Sequence, residues 1–190
     1  MDNNYHGIGI VGCGSIGRGI ALEVDRGDIK GARIVALFDQ NIESAQELAH
    51  QLVYTPEVFD SFRSFISLAT MSTVVESASQ GALKQYGRHV LDAGMNLSVM
   101  SVGALLDDAF RKGLEEVALQ KGGRLIVSSG AIGGIDAIMS AKDHIEEVTL
   151  TTRKLPETLV DVTLDTPSIT NLDREEVIFS GSALEAVVRF

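Results

Sequence analysis

Short apolar runs alternate along the chain with longer stretches in which apolar residues recur at three- and four-residue spacing. The short runs are typical of buried parallel strands and the longer ones of amphipathic helices. The predicted strands lie, in chain order, at residues 7–11, 33–38, 73–77, 97–101 and 124–128. This alternation predicts βα units wound right-handedly into one parallel sheet.

Four helices are predicted between and after these strands, at residues 16–25, 42–52, 81–93 and 106–120. Gly27, Gly94 and Gly122 follow three of them, at the position where glycine commonly ends a helix. A shorter helix is predicted from Asp60 onward, with aromatic and aliphatic side chains on its inner face.

A glycine-rich turn follows the first predicted strand and opens the first predicted helix, with Gly12, Gly14 and Gly17 in the sequence GCGSIG. The first glycine permits a tight turn, the second lets a diphosphate approach the backbone, and the third lets helix and strand pack closely. The amides of Ser15 and Ile16 then lie at a positive helix end. In this context the motif predicts a Rossmann-type dinucleotide site rather than a glycine turn without a ligand.

Asp39 ends the second predicted strand, 22 positions after Gly17. A carboxylate in this place can accept hydrogen bonds from both hydroxyls of an adenosine ribose, and the following Gln40 and Asn41 offer no cation for a 2′-phosphate. NAD is therefore favoured over NADP, although NADP stays possible. Asp39 could also act as the N-cap of the helix that starts near Ile42.

Small polar residues follow the third and fourth predicted strands, at the edge where parallel sheets bind ligands. Ser79 and Ser101 either line the path of the nicotinamide ribose or cap the next helices. Glu76 lies within the apolar third strand, where an acid is costly unless it is hydrogen-bonded or reaches the cleft.

Composition removes several classes of function. The net charge of -10 argues against nucleic acid and anionic membranes as partners. Cys13 is the one cysteine, and no Cys and His set has zinc spacing, so neither a disulfide nor a metal is expected. Because no apolar run is long enough to cross a bilayer and the start of the chain lacks a signal peptide, a cytoplasmic protein is expected.

The character of the sequence changes after residue 128. A small-residue turn at 129–134 leads into a predicted helix, followed by predicted strands at 147–152 and 177–179 and a helix from Ser182. We expect a doubly wound Rossmann-type domain over residues 1–128 and a partial α+β domain for catalysis and dimerisation over residues 129–190.

Several segments together resemble the NAD(P)-dependent L-aspartate dehydrogenases. The more general ones are GIVGCGSIG at 9–17, VESASQ at 75–80, SVGA at 101–104 and GSA at 181–183, whereas SGAIGGIDA at 129–137 followed by LTTRK at 150–154 is far more specific. The match runs in register along essentially the whole chain, while family members continue for several dozen residues beyond it.

The resemblance implies oxidation of L-aspartate at its α-carbon, giving iminoaspartate and then oxaloacetate or feeding NAD biosynthesis. It implies that Ala131 lies against the cofactor, that Gly133 and Gly134 shape the substrate pocket, and that the catalytic histidine follows residue 190. A homodimer is expected, with L-aspartate as the small-molecule partner. The alternatives are a related reductase of the dihydrodipicolinate or homoserine type, and a catalytically inactive NAD-binding module.

Overall fold

One parallel sheet organises the larger part of the molecule. The computed structural model describes residues 5–129, 133–155 and 174–189. The strands within these residues are β1 (His6–Val11), β2 (Ala32–Phe38), β3 (Glu57–Phe59), β4 (Thr73–Glu76), β5 (Asn96–Val99) and β6 (Leu125–Val127). Their order is β3-β2-β1-β4-β5-β6, and all five pairings are parallel. The chain winds outward in both directions from the boundary between β1 and β4, which confirms the predicted doubly wound fold.

Helices connect the strands and follow the sheet. They are α1 (Ser15–Asp25), α2 (Ile42–Ala49), α3 (Phe62–Ile66), α4 (Gln80–Asp92), α5 (Asp108–Lys121), α6 (Ile135–Ser140) and α7 (Ala183–Arg189), with short 3-10 helices at Val102–Leu106 and Lys142–His144. Gly27, Gly94 and Gly122 have positive φ angles of 86°, 74° and 78°, so each ends or follows its helix in the left-handed conformation that glycine adopts without strain.

Two hydrophobic cores cover the two faces of the sheet. Ile10 and Leu37 belong to one core, together with Ala21 of α1 and Leu48 of α2. The other core lies under α3, α4 and α5. Its side chains that are less than 2% exposed include Phe65, Leu83, Leu91, Leu97 and Val99. Because the central strands are covered on both faces, their sequences are continuously apolar rather than alternating.

The five predicted strands lie within two residues of their observed ends, and the predicted short helix is α3. The predicted second helix is too long, because α2 ends at Ala49 with His50 as its C-cap. β3 was not predicted. It has three residues, exposed or half-buried, at the sheet edge, and so short a segment carries no usable periodicity.

The chain divides into two compact units, Met1–Ala137 and Ile138–Phe190. In the second unit the predicted helix after Ser182 is α7, where the Ser182 amide donates to Glu185 Oε2 at 2.7 Å and the Glu185 amide donates to Ser182 Oγ at 3.2 Å. This reciprocal pair is a capping box. The hydrogen bonds from the Ser182 backbone and then its hydroxyl lower the pKa of Glu185.

The strands predicted at 147–152 and 177–179 are wrong. Both segments lack strand structure; residues 147–152 are all exposed, whereas Ile178 and Phe179 are half-buried. Alternating Thr and Val side chains form a strand only where a neighbour takes up the backbone N–H and C=O groups. Among the described residues of this unit, no neighbouring strand does so.

Within the described ranges, no helix combines the length and the apolar character needed to cross a membrane.

Candidate dinucleotide site

A cleft of about 280 Å³ lies where β1, β2 and β4 end. All three strands present their carboxyl ends here because they are parallel, and the strand order reverses at this point. The residues that line the cleft come from these strand ends and from the first half of α4, and they are Val11, Gly12, Gly14, Phe38, Asp39, Gln40, Ser77, Ala78, Ser79, Ala82 and Tyr86.

The three glycines of the turn differ in what surrounds them. Gly12 has φ +92°, and a Cβ there would lie 2.7 Å from Ala78. A Cβ on Gly17 would collide with the carbonyl oxygen of Gly12, and it would lie 2.7 Å from Ser77 Oγ. Nothing lies within 4 Å of a Cβ built on Gly14. Two glycines are therefore required by the fold, whereas the space at Gly14 is open on the cleft side.

The helix that follows this turn begins without a side-chain cap. Gly14 is the N-cap of the 11-residue α1 and makes no side-chain cap hydrogen bond. The first-turn amides of Ser15 and Ile16 thus keep their donor capacity, and they stand at the positive end of the helix dipole. Ser15 and Ile16 are exposed, with Ile16 at 59%, and their side chains do not line the cleft. This terminus suits a phosphate.

Asp39 lies beside the glycine turn. Its Oδ2 accepts a hydrogen bond from the Cys13 amide at 2.7 Å, and its Oδ1 accepts one from the Asn41 amide at 2.8 Å. Each carboxylate oxygen has two lone-pair positions, so both retain one for a ribose hydroxyl. The N-cap of α2 is Asn41, whose side chain accepts from the Glu43 amide, and the alternative that Asp39 caps this helix is wrong.

Ser79 and Ser101, for which two roles were left open, differ in the structure. Ser79 lines the cleft and caps α4, accepting a hydrogen bond from the Ala82 amide at 3.1 Å. Ser101 does neither, because its hydroxyl donates to Glu76 Oε1 at 2.9 Å. Ser77, which was not predicted as a site residue, donates from Oγ to the Gly12 carbonyl at 2.9 Å and ties the turn to the end of β4.

An aromatic wall closes one side of the cleft. Phe38 and Tyr86 line it with ring centroids 5.5 Å apart at 87°, and Phe62 stacks on Tyr86 at 4.2 Å. Tyr86 was not predicted as a site residue. The available signal was its position four residues after Ala82, which places both on the helix face that begins at Ser79.

Cys13 lies within the turn, but it is buried and unreactive in character. Burial, followed by the negative charge of Asp39, raises the pKa of the Cys13 thiol from 9.0 to about 12. A protonated thiol is a small apolar group rather than a nucleophile. Cys13 therefore acts here through its backbone amide and its packing.

The remaining predicted residues lie away from the cleft or outside the described ranges. Gly133 and Gly134 are exposed in the turn before α6, and Gly134 has φ +78°. Ala131 lies outside the described residues. All four histidines are exposed, as expected. Among the described residues, no group of three or more His, Cys, Asp or Glu side chains could hold a metal ion.

The open space at Gly14, the uncapped α1 terminus and the Asp39 carboxylate are each suited to one part of a dinucleotide. Comparison with known proteins agrees. Residues 12–128 match the family model described as homoserine dehydrogenase, NAD binding domain. A nicotinamide dinucleotide is therefore the cofactor of this domain.

Two relatives extend the similarity beyond that domain. L-aspartate dehydrogenase of Nitrosopumilus maritimus is 33% identical over 96% of this chain and 68% of its own length. The L-aspartate dehydrogenase of Methanosarcina mazei is 39% identical over the same shares. The chain belongs to the L-aspartate dehydrogenase family. Membership places it among the NAD(P)-dependent oxidoreductases, as the resemblance implied.

A solved structure supports the same family. Aspartate dehydrogenase from Thermotoga maritima is 27% identical, with a TM-score of 0.54 over 73% of this chain and 52% of that one. The chain spans about two thirds of the length of the curated relatives it matches. The match to the homoserine dehydrogenase model lies within the nucleotide-binding part, which the related reductases share, so it does not favour the homoserine-type alternative.

Proposed function

We propose that this chain serves an NAD-dependent L-aspartate dehydrogenase, which oxidises the α-carbon of L-aspartate and passes hydride to the nicotinamide ring. The observation that carries the proposal is the pairing of an open Gly14 with an Asp39 carboxylate held by the neighbouring Cys13 amide. This pairing puts a ribose acceptor directly beside a diphosphate cradle, in a chain whose relatives are L-aspartate dehydrogenases.

Backbone amides, a carboxylate and a hydroxyl of this chain would each bind a different part of the dinucleotide. The amides at the start of α1 would bind the diphosphate across Gly12 and Gly14, and Asp39 would accept the adenosine ribose hydroxyls. Ser79 offers its hydroxyl at the cleft, and Ala131 is assigned to the cofactor by the resemblance. When bound, the nicotinamide supplies the hydride acceptor.

We propose that the cofactor is NAD rather than NADP because the charge of the cleft is negative. Asp39 is negative, and no Lys or Arg stands among the cleft-lining residues. A 2′-phosphate beside Asp39 would meet a like charge without a cation to offset it. Titration should therefore give a lower dissociation constant for NAD⁺ than for NADP⁺, and equal or reversed affinities would contradict this assignment.

Substrate and proton transfer are assigned by the resemblance. Gly133 and Gly134 are proposed to shape the L-aspartate pocket. The substrate ammonium group must lose a proton for hydride to leave the α-carbon, which needs a nearby base. The resemblance gives that role to a histidine further along the family sequence, and we assign no catalytic residue within this chain. The product would be iminoaspartate, which hydrolyses to oxaloacetate or enters NAD biosynthesis.

The decisive assay is NADH formation from NAD⁺ with L-aspartate, measured on a version of the chain extended at its C-terminus to include the histidine that the resemblance implies, and compared with L-homoserine as the amino acid of a related reductase. We expect aspartate-dependent formation that an Asp39→Ala variant loses. Preference for homoserine would support the related-reductase alternative. Nucleotide binding with no turnover of either amino acid would support the inactive NAD-binding module instead.

We also propose a cytoplasmic homodimer. The second unit exposes apolar side chains at Leu150 (62%), Leu155 (69%), Val177 (83%) and Leu184 (74%). Apolar surface of this kind is more often covered by another protein surface than left in water. Sedimentation should give twice the chain mass of 20.3 kDa. A well-behaved monomer would contradict the dimer.

A further inference from the structure

Glu76 is an acidic side chain for which the proposed chemistry has no use. It is the last residue of β4 and is 2% exposed. Apart from Thr73, it is the one buried polar or charged residue among the described residues. Taking a carboxylate out of water is costly unless hydrogen bonds replace the lost hydration. The hydrogen bonds of this carboxylate therefore decide its role.

The carboxylate accepts four hydrogen bonds, all from neutral donors. Oε1 accepts from the Ala78 amide at 2.9 Å, the Ser79 amide at 3.1 Å and the Ser101 hydroxyl at 2.9 Å. Oε2 accepts from the Ser101 amide at 3.1 Å. Since every partner donates, an acceptor-only carboxylate is the group that satisfies them all.

These bonds join two separate turns at the cleft edge. Ala78 and Ser79 belong to the turn after β4 and line the cleft, whereas Ser101 begins the turn after β5, 25 residues away from Glu76 in sequence. The Glu76 carbonyl also accepts from the Met100 amide at 2.9 Å. Main chain and side chain of one residue thus fix both turns relative to each other.

The turns after β4 and β5 lie on the side of the cleft where the nicotinamide half of the cofactor is expected. Asp39 stands at the end of β2, so the adenosine lies on the β2 side of the glycine turn. The strand order places β4 and β5 on the opposite side of β1. A dinucleotide that crosses the boundary between β1 and β4 therefore brings its second mononucleotide, which carries the nicotinamide, over the turns that Glu76 joins.

We propose that Glu76 is a positioning residue, which sets the place of the nicotinamide half by locking the turns after β4 and β5 together. The inference rests on the proposed function, because it needs a nicotinamide dinucleotide in the cleft. An apolar residue would fill the same space without the desolvation cost, but it would leave three amides of the two turns without their acceptor.

The test compares NAD⁺ with ADP, which contains the adenosine and diphosphate but no nicotinamide riboside. In Glu76→Gln one oxygen becomes an amide nitrogen, which must face an N–H donor. We expect affinity for NAD⁺ to fall about tenfold while affinity for ADP stays within about twofold. Thr73→Val is the matched control, because it removes a buried polar group from the other end of the same strand.

A second variant tests the same role in case Glu76→Gln does not fold. Ser101→Ala removes the hydroxyl donor and leaves the carboxylate with its three amides, so we expect a smaller loss for NAD⁺, about threefold, again with ADP unchanged. Equal losses for ADP and NAD⁺, or no loss in either variant, would overturn the positioning role. An unmodified chain that binds neither ligand would instead refute the proposed function, and with it the premise.

Discussion

Polar side chains at the amino ends and at the carboxyl ends of the parallel strands, called here the amino edge and the carboxyl edge of the sheet, find different hydrogen-bond partners. At the amino edge, His6 Nε2 lies 2.6 Å from Thr73 Oγ1, which also accepts from Asn96 Nδ2 at 3.2 Å. Side chains there bond one another. At the carboxyl edge, the carboxylates of Asp39 and Glu76 accept mainly from backbone amides of the turns.

This difference separates what stabilises the fold from what shapes the cleft. The side-chain network around Thr73 includes no residue that lines the cleft, so we expect it to contribute to stability alone. Carboxylates bonded to turn amides fix loop conformations, which is what a preformed ligand site needs. Changes at the amino edge should therefore alter stability alone, whereas changes at the carboxyl edge should alter nucleotide binding.

The largest expected effect concerns the thiol at the carboxyl edge. Burial and the charge of Asp39 raise the pKa of Cys13 from 9.0 to about 12, which lowers its thiolate fraction near neutral pH by about a thousandfold. Iodoacetamide should label the native protein more slowly than the urea-unfolded chain by about this factor, measured by mass spectrometry. Because both causes disfavour the thiolate, the native rate should keep rising with pH beyond 9. Rapid native labelling at neutral pH would show instead that the Cys13 thiol is not buried.

Asp39→Ala should give the next largest effect. In the proposed role of Asp39, the variant would lose two charge-assisted hydrogen bonds to the ribose, together worth about 3 kcal/mol, or about a hundredfold in affinity. Titration with NADH measures the loss, with Thr73→Val as the control. Unchanged affinity would remove Asp39 from the site.

Thr73→Val should lower the free energy of unfolding by about 1–2 kcal/mol, because His6 and Asn96 lose their shared partner. Urea denaturation measures the loss. Affinity for NADH should not change, since Thr73 lies at the opposite edge from the cleft. A large loss of affinity would mean that the two edges are coupled.

Arg33→Ala should have the smallest effect. The Arg33 guanidinium lies over the rings of Tyr5 and Tyr54, at 4.4 Å and 4.1 Å from their centroids. Exposed contacts of this kind are worth about 0.5–1 kcal/mol each, so unfolding should become about 1 kcal/mol easier in urea. Arg33→Lys retains the charge and should recover part of the loss.

Short segments of sequence were sufficient to predict the elements of the first unit that form the buried centre of its sheet and the turn beside it. The glycine turn and Asp39 were predictable because turn, helix start and strand end follow one another within 28 residues from Gly12 to Asp39. The central strands β1, β2 and β4 were predictable because each contributes side chains to both apolar cores. The strands predicted at 147–152 and 177–179 show the converse, since periodicity alone cannot supply a pairing partner.

Contacts between residues far apart in the sequence could not be predicted from one sequence. The cost of Glu76 in an apolar strand could be recognised, but its partner Ser101 lies 25 residues away and reaches it only because β4 and β5 are adjacent. Spacing from Ala82 could indicate the helix face of Tyr86, but its two ring contacts, with Phe38 and Phe62, join residues from separate elements. Such relations depend on the tertiary fold rather than on spacing.

The most direct test of the central claim, that this edge of the sheet binds a nicotinamide dinucleotide through the glycine turn, is NADH binding by Gly14→Val. Gly14 has φ -70° and ψ -164°, an extended conformation whose negative φ does not require glycine, and a Cβ there would meet nothing within 4 Å. The variant should fold with nearly the melting temperature of the unmodified chain, yet lose NADH binding because its side chain fills the phosphate space. A folded Gly14→Val protein that binds NADH as tightly as the unmodified chain would show that the glycine turn is not the dinucleotide site.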